Sequence, residues 1–146
     1  MLCGIGENPE DRIDHMIQLR DQQDKSGGFQ TFIPLTCHYE DTEIAGTVEP
    51  LTAFDKLKNI AVSRIVLDNF DHIKAYWIQL GVGLAQMALN FGADDLDGTV
   101  QAENITHAAG SKTRGLEKDF LRNLIEDAGD IPIERDTVYN VLEVAK

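Results

Sequence analysis

Short apolar runs alternate with stretches whose apolar residues recur every three or four positions. This alternation restricts the chain to βα units around a parallel sheet. The strand candidates are residues 1–6 (MLCGIG), 29–35 (FQTFIPL), 72–78 (HIKAYWI) and the short run 93–96. Neither face of FQTFIPL is mainly polar, as in a parallel strand covered on both sides. Asn8-Pro9-Glu10-Asp11 starts the first helix, with Asn as cap and acids against the positive end. Ile13, Met16, Ile17 and Arg20 give it one face, and Ser26-Gly27-Gly28 stops it. Thr52 and Asp55 open a second helix, carried by Phe54, Leu57, Ile60, Ala61, Arg64 and Leu67. Gly81-Val82-Gly83 opens a short third helix bearing Leu84, Met87, Ala88 and Phe91. Residues 101–109 read as another short helix. Leu116, Phe120, Leu121, Leu124, Ile125 and Ala128 make an amphipathic one closed by Gly129. A polar tail follows Ile131-Pro132-Ile133. The loop 36–51 has the length at which loops are often functional.

Four βα units are too few for a closed (β/α)8 barrel, which takes about 250 residues. An isolated four-stranded parallel sheet leaves two edges open. The pattern therefore fits a small flavodoxin-like sheet or the second half of a barrel. With 146 residues and no dividing linker, the chain reads as one domain or partial domain.

A net charge of −12 without a basic stripe argues against nucleic acid and anionic membrane as partners. No apolar run reaches transmembrane length, and the start is not a signal peptide. Cys3 and Cys37 form neither a CxxC pair nor a disulfide framework, which suggests a reducing, cytoplasmic setting. His15, His38, His72 and His107 show no HxxxH or HxxE spacing, so no metal site is expected. The lone GxG at Gly81 reads as room for a helix start rather than a phosphate cradle.

The candidate site lies in FGADDLDGTV, residues 91–100. Asp95, Asp97 and Thr99 would stand at the carboxyl end of a strand, where barrel enzymes place their chemistry. The alternative is that they cap the following segment. Tyr76, at the end of HIKAYWI, is either a core residue or a substrate contact. Gln30 would be a buried amide in an apolar strand, and a ligand could satisfy it.

Several long stretches carry a family resemblance: MLCGIGENPEDRIDH, LRDQQDKSGGFQTFIPL, AVSRIVLDNFDHIKAYWIQLG, FGADDLDGTV, ENITHAAG and LIEDAGDIPIERDTVYN. Together they resemble the carboxyl-terminal part of the aminofutalosine synthases, radical S-adenosylmethionine (SAM) enzymes of menaquinone biosynthesis. Two sister groups are close: the dehypoxanthine futalosine cyclases and the deazaflavin-forming synthases. GGFQTFIPL and DDLDGT stand where the cyclases have GGFTAFI and NDFGST, which favours the synthase. The resemblance implies a radical SAM barrel that binds SAM and a 4Fe–4S cluster. Its reaction adds the adenosyl radical to 3-[(1-carboxyvinyl)oxy]benzoate and gives 6-amino-6-deoxyfutalosine.

The resemblance also implies SAM contacts at Gly4 and Glu7; Gln30, Tyr76, Asp95, Asp97 and Thr99, polar groups at the ends of otherwise apolar strands, are the expected substrate contacts. Cys3 and Ile5 replace the Tyr and His of the family pattern beside Gly4. The three-cysteine cluster motif has no match, so the chain reads as beginning near the fifth barrel strand. By itself it is expected to lack the cluster and to be inactive. A separately encoded amino-terminal half-barrel would be its partner; a noncatalytic half-barrel is the reading from another class.

Overall fold

A computed structural model of the chain describes residues 1–99 and 115–144. Its elements are β1 (Leu2–Cys3), α1 (Pro9–Ser26), β2 (Thr31–Phe32), β3 (Leu35–Thr36), α2 (Ala53–Val66), β4 (His72–Ile73) and α3 (Trp77–Leu80). They continue with α4 (Val82–Leu89), α5 (Lys118–Asp127), β5 (Ile133–Arg135) and β6 (Val141–Val144). The short helix expected at 101–109 lies outside the described residues. Both helix-start motifs form full capping boxes, Asn8 with Asp11 and Thr52 with Asp55.

Of the four expected strand runs, 1–6, 29–35 and 72–78 pair in parallel, while 93–96 contributes a single bridge rather than a strand. β1 lies beside β3, with Leu2 opposite Leu35 and Cys3 opposite Thr36. β2 lies beside β4, with Thr31 opposite His72 and Phe32 opposite Ile73. A further parallel bridge joins Lys74 to Asp95. Pro34 separates β2 from β3 because it has no N–H to give to a ladder. The segment nevertheless bridges two neighbours: Leu35 N–H donates to Met1 O at 2.8 Å, and Lys74 N–H donates to Phe32 O at 2.9 Å.

The helices and the buried strand residues share one core. Met16 of α1, Leu57 and Ile60 of α2, Ala85 and Ala88 of α4 and Leu121 of α5 meet Phe32, Ile73, Ala75 and Leu96 there. Three expectations need correction. The run 72–78 is not all strand: the backbone turns at Tyr76, and Trp77 and Ile78 are buried residues of α3. The inward stripe of α1 includes Met16 and Gln23; Ile17 is 44% exposed and Arg20 faces outward to Asp68. The tail after Ile131 is not merely polar, because β5 and β6 form an antiparallel hairpin with a register shift at Glu134 and Arg135. Among the described residues no helix is long and apolar enough to cross a membrane.

The turn after α4 needs a glycine. Gly92 has φ +101, and a Cβ placed there would lie 2.8 Å from Cβ of Arg64. Arg64 closes over that turn, its Nε donating to Gly92 O at 2.8 Å. Gly92→Ala is expected to destabilise the fold by about 1–3 kcal/mol, through strain and the displaced Arg64. Equilibrium denaturation checks this; an unchanged midpoint would show that the turn relaxes freely.

Candidate functional site

Strand alternation decides which side chains face away from the helices. Phe32, Ile73 and Ala75 point into the helical core and are fully or nearly buried. Their neighbours Thr31, His72 and Lys74 therefore lie on the opposite face. Asp95 stands opposite Lys74 on the adjoining strand segment, and Asp97 follows two residues later on the same side. Lys74 Nζ is 3.0 Å from Asp97 Oδ1 and 3.7 Å from Asp95 Oδ2.

The β5–β6 hairpin completes this cluster from far along the chain. Arg135 Nη2 and Tyr139 Oη both donate to Asp95 Oδ2, each at 2.5 Å. The Tyr139 ring stacks on His72 with centroids 4.0 Å apart, and the Arg135 guanidinium lies 4.1 Å from the Tyr139 ring centre. Two cations thus meet two carboxylates in a nearly closed space, where the Asp95 side chain is 9% exposed.

Burial alone would push the Asp95 carboxyl up. The Tyr139 hydroxyl, the Lys74 charge, the Asp97 amide and Arg135 outweigh it and hold the group below the usual carboxylate range. Burial and the bond to Asp95 push the Tyr139 phenol up to about 12, so it stays a neutral donor. Asp97 has φ +69, a conformation that costs a non-glycine residue energy. Its N–H donates to Asp95 Oδ1 at 2.8 Å and its carboxylate meets Lys74, so the cluster holds the strained turn. Trp77 secures the next residue, its Nε1 donating to Gly98 O at 3.2 Å. Asp94 ties the strand to α2: it accepts from Arg64 Nη2 and from Ile73 N–H, and pairs with His72 Nδ1 at 2.7 Å.

The family described as CofH/MqnC C-terminal region matches residues 26–146. The chain belongs to this family. It is 47% identical over 99% of its length to the aminodeoxyfutalosine synthase of Thermus thermophilus, and 41% identical over 97% to that of Streptomyces coelicolor. It is also 40% identical over 99% of its length to the cyclic dehypoxanthine futalosine synthase of Streptomyces coelicolor. The chain spans 40%, 40% and 36% of those three relatives.

In this member of the CofH/MqnC C-terminal family, the residues singled out in the sequence separate into three groups. Asp95 and Asp97 come together around Lys74. Tyr76 is half-buried at the carboxyl end of β4, and Thr99 is exposed beyond Asp97. Gly4 and Glu7 form a different unit, the loop between β1 and α1. Glu7 accepts from Gly4 N–H and Ile5 N–H, both at 2.8 Å, and from Arg12 Nε at 2.9 Å. Burial raises its carboxyl, but these donors hold it below the usual range.

Gln30 leaves the site. It is exposed and precedes β2, at the amino rather than the carboxyl end of its strand. The buried amide beside this strand start is Gln23 of α1, which donates to Phe29 O at 2.9 Å and accepts from Phe29 N–H at 2.8 Å. The apolar run around Gln30 makes it look internal, but the strand begins one residue later, at Thr31. Lys74, Arg135 and Tyr139 were missed. Lys74 lies in a mostly apolar run, HIKAYWI. The hairpin had a readable signal in the alternating residues 133–135 and 141–144 around a five-residue turn.

The two thiols do not fit an iron–sulfur cluster. Cys3 points into the helical core, where Asn59 Nδ2 donates to its sulfur at 3.4 Å, and burial raises its pKa. Cys37 also has a raised pKa, from burial and then from Glu40 and Glu7. A cluster needs thiolates converging on one point. Cys3 lies opposite Thr36 in the ladder, so Cys37 is one residue out of register with it and its side chain belongs to the other strand face.

Proposed function

We propose that this chain is the carboxyl-terminal part of an aminodeoxyfutalosine synthase-type radical SAM enzyme, contributing the second half of a (β/α)8 barrel. The observation that carries the reading is the 47% identity to the Thermus thermophilus synthase over 99% of the chain. The parallel order of the strand segments, with helices packed on one side, supports the half-barrel. The face bearing Thr31, Lys74 and Asp95 then lines the barrel interior, and an amino-terminal half-barrel is the partner. SAM and a 4Fe–4S cluster, held by that other half, supply the adenosyl radical chemistry in a cytoplasmic enzyme.

The residues of this chain bind and orient the small-molecule substrate, the enol-ether benzoate. Asp97, Thr99 and Tyr76, at the carboxyl ends of their strands, contact it. Gly4 and Glu7 shape the rim where SAM approaches. Lys74, Asp95, Arg135 and Tyr139 fill the interior beneath, which excludes water from the reacting centre. Placing the double bond within reach of a radical is a matter of positioning, and a rigid floor provides it.

The 40% identity to the cyclic dehypoxanthine futalosine synthase makes that enzyme the second reading. A hybrid tests both. This chain replaces the matching segment of the Thermus thermophilus synthase, the cluster is reconstituted anaerobically, and products are identified by mass spectrometry with each substrate. Aminodeoxyfutalosine is the expected product. Cyclisation of dehypoxanthine futalosine alone would move the chain to the sister group. No turnover of either substrate, with the cluster intact, would favour a noncatalytic role.

A further inference from the structure

We propose that Arg135 and Tyr139, on the carboxyl-terminal hairpin, are positioning residues that set the conformation of Asp97 through Asp95 and Lys74. This inference rests on the reading of Asp97 as a substrate-facing group. Four observations carry it. The hairpin meets the strands near their amino ends, where Tyr139 stacks on His72, the first residue of β4. Both hairpin side chains converge on one oxygen of Asp95, Oδ2. The other oxygen, Oδ1, accepts the backbone N–H of Asp97. Asp97 itself holds a left-handed conformation, φ +69, with its carboxylate on Lys74.

One carboxylate therefore takes its orientation from the hairpin on one oxygen and imposes it on the Asp97 turn with the other. Loss of either hairpin donor loosens the hold on Oδ2, and the strained turn then rests on a less firmly oriented acceptor. The chain separation is large: Asp95 lies 40 residues from Arg135 and 44 from Tyr139. A segment remote in sequence thus reaches the Asp97 turn through Asp95.

Hydrogen exchange read by mass spectrometry on the 146-residue chain tests the coupling directly. In Tyr139→Phe and Arg135→Met, exchange of the peptide spanning residues 95–98 is expected to rise about 10-fold, with α2 unchanged. Arg135→Lys should restore part of the protection. Unchanged exchange at 95–98, or equal loosening of α2, would overturn the inference.

A second arm uses the cluster-bearing hybrid described above. Tyr139→Phe should lower kcat about 10-fold in the Asp97 background and have almost no further effect when Asp97→Asn is already present. Additive losses would mean that Tyr139 acts by another route. If Asp97→Asn alone leaves turnover intact, the site reading fails, and the exchange result still decides the coupling.

Discussion

Asp95→Ala is expected to lower the unfolding free energy by roughly 3–5 kcal/mol, the range for removing one partner from a buried charge cluster. The cost comes less from the lost attraction than from what remains. Lys74 is 8% exposed and would keep only Asp97. Arg135 and the Tyr139 hydroxyl would lose the oxygen they share. Arg135 is partly exposed and keeps Asp136 O, so most of the penalty falls on the buried Lys74. Urea denaturation measures the effect. A loss below about 1 kcal/mol would show that water reaches the cluster and replaces the carboxylate.

The same residue gives the pH dependence a definite sign. The folded pKa of Asp95 is depressed, so its contribution is present above the unfolded value, about 3.9. It is lost as pH falls through the lower folded value. Glu7, Asp55 and Asp136 also have depressed values, so the acid limb of the wild-type curve belongs to several groups. The difference between wild type and Asp95→Asn isolates the one at the centre of the cluster. That difference should be flat from neutral pH to about pH 4 and shrink below it.

Local chemistry was legible in the sequence, and long-range closure was not. Asn8 and Thr52 each act within three residues, so their capping boxes can be read directly. The parallel order follows from periodicity switching between strand and helix, which is also local. Gln30 failed because an apolar run does not reveal where a strand begins. The buried amide beside that strand start turned out to be Gln23, whose partner Phe29 lies six residues away across a helix end. The charge cluster was invisible for a different reason. Asp95 and Asp97 read equally well as caps, and the groups that Asp95 meets come from a hairpin some 40 residues later. Lys74 hid among apolar neighbours, because its alternation signal appears only once the helical side of β4 is known.

Asp97→Asn in the cluster-bearing enzyme is expected to reduce turnover about 10²-fold with little change in melting temperature. Asparagine is the informative replacement. It tolerates the left-handed backbone that Asp97 adopts, so the turn keeps its shape. Alanine would mix backbone strain with the loss of the carboxylate. Gln30→Ala supplies the internal control: Gln30 is exposed at the amino end of its strand, so neither turnover nor stability should move by more than about 0.5 kcal/mol. The opposite pattern, near-normal turnover in Asp97→Asn with a lowered melting temperature, would confine Asp97 to holding its turn, with no part in orienting substrate. In that case substrate orientation would fall to Tyr76 and Thr99, the remaining polar groups of the set at the carboxyl ends of their strands.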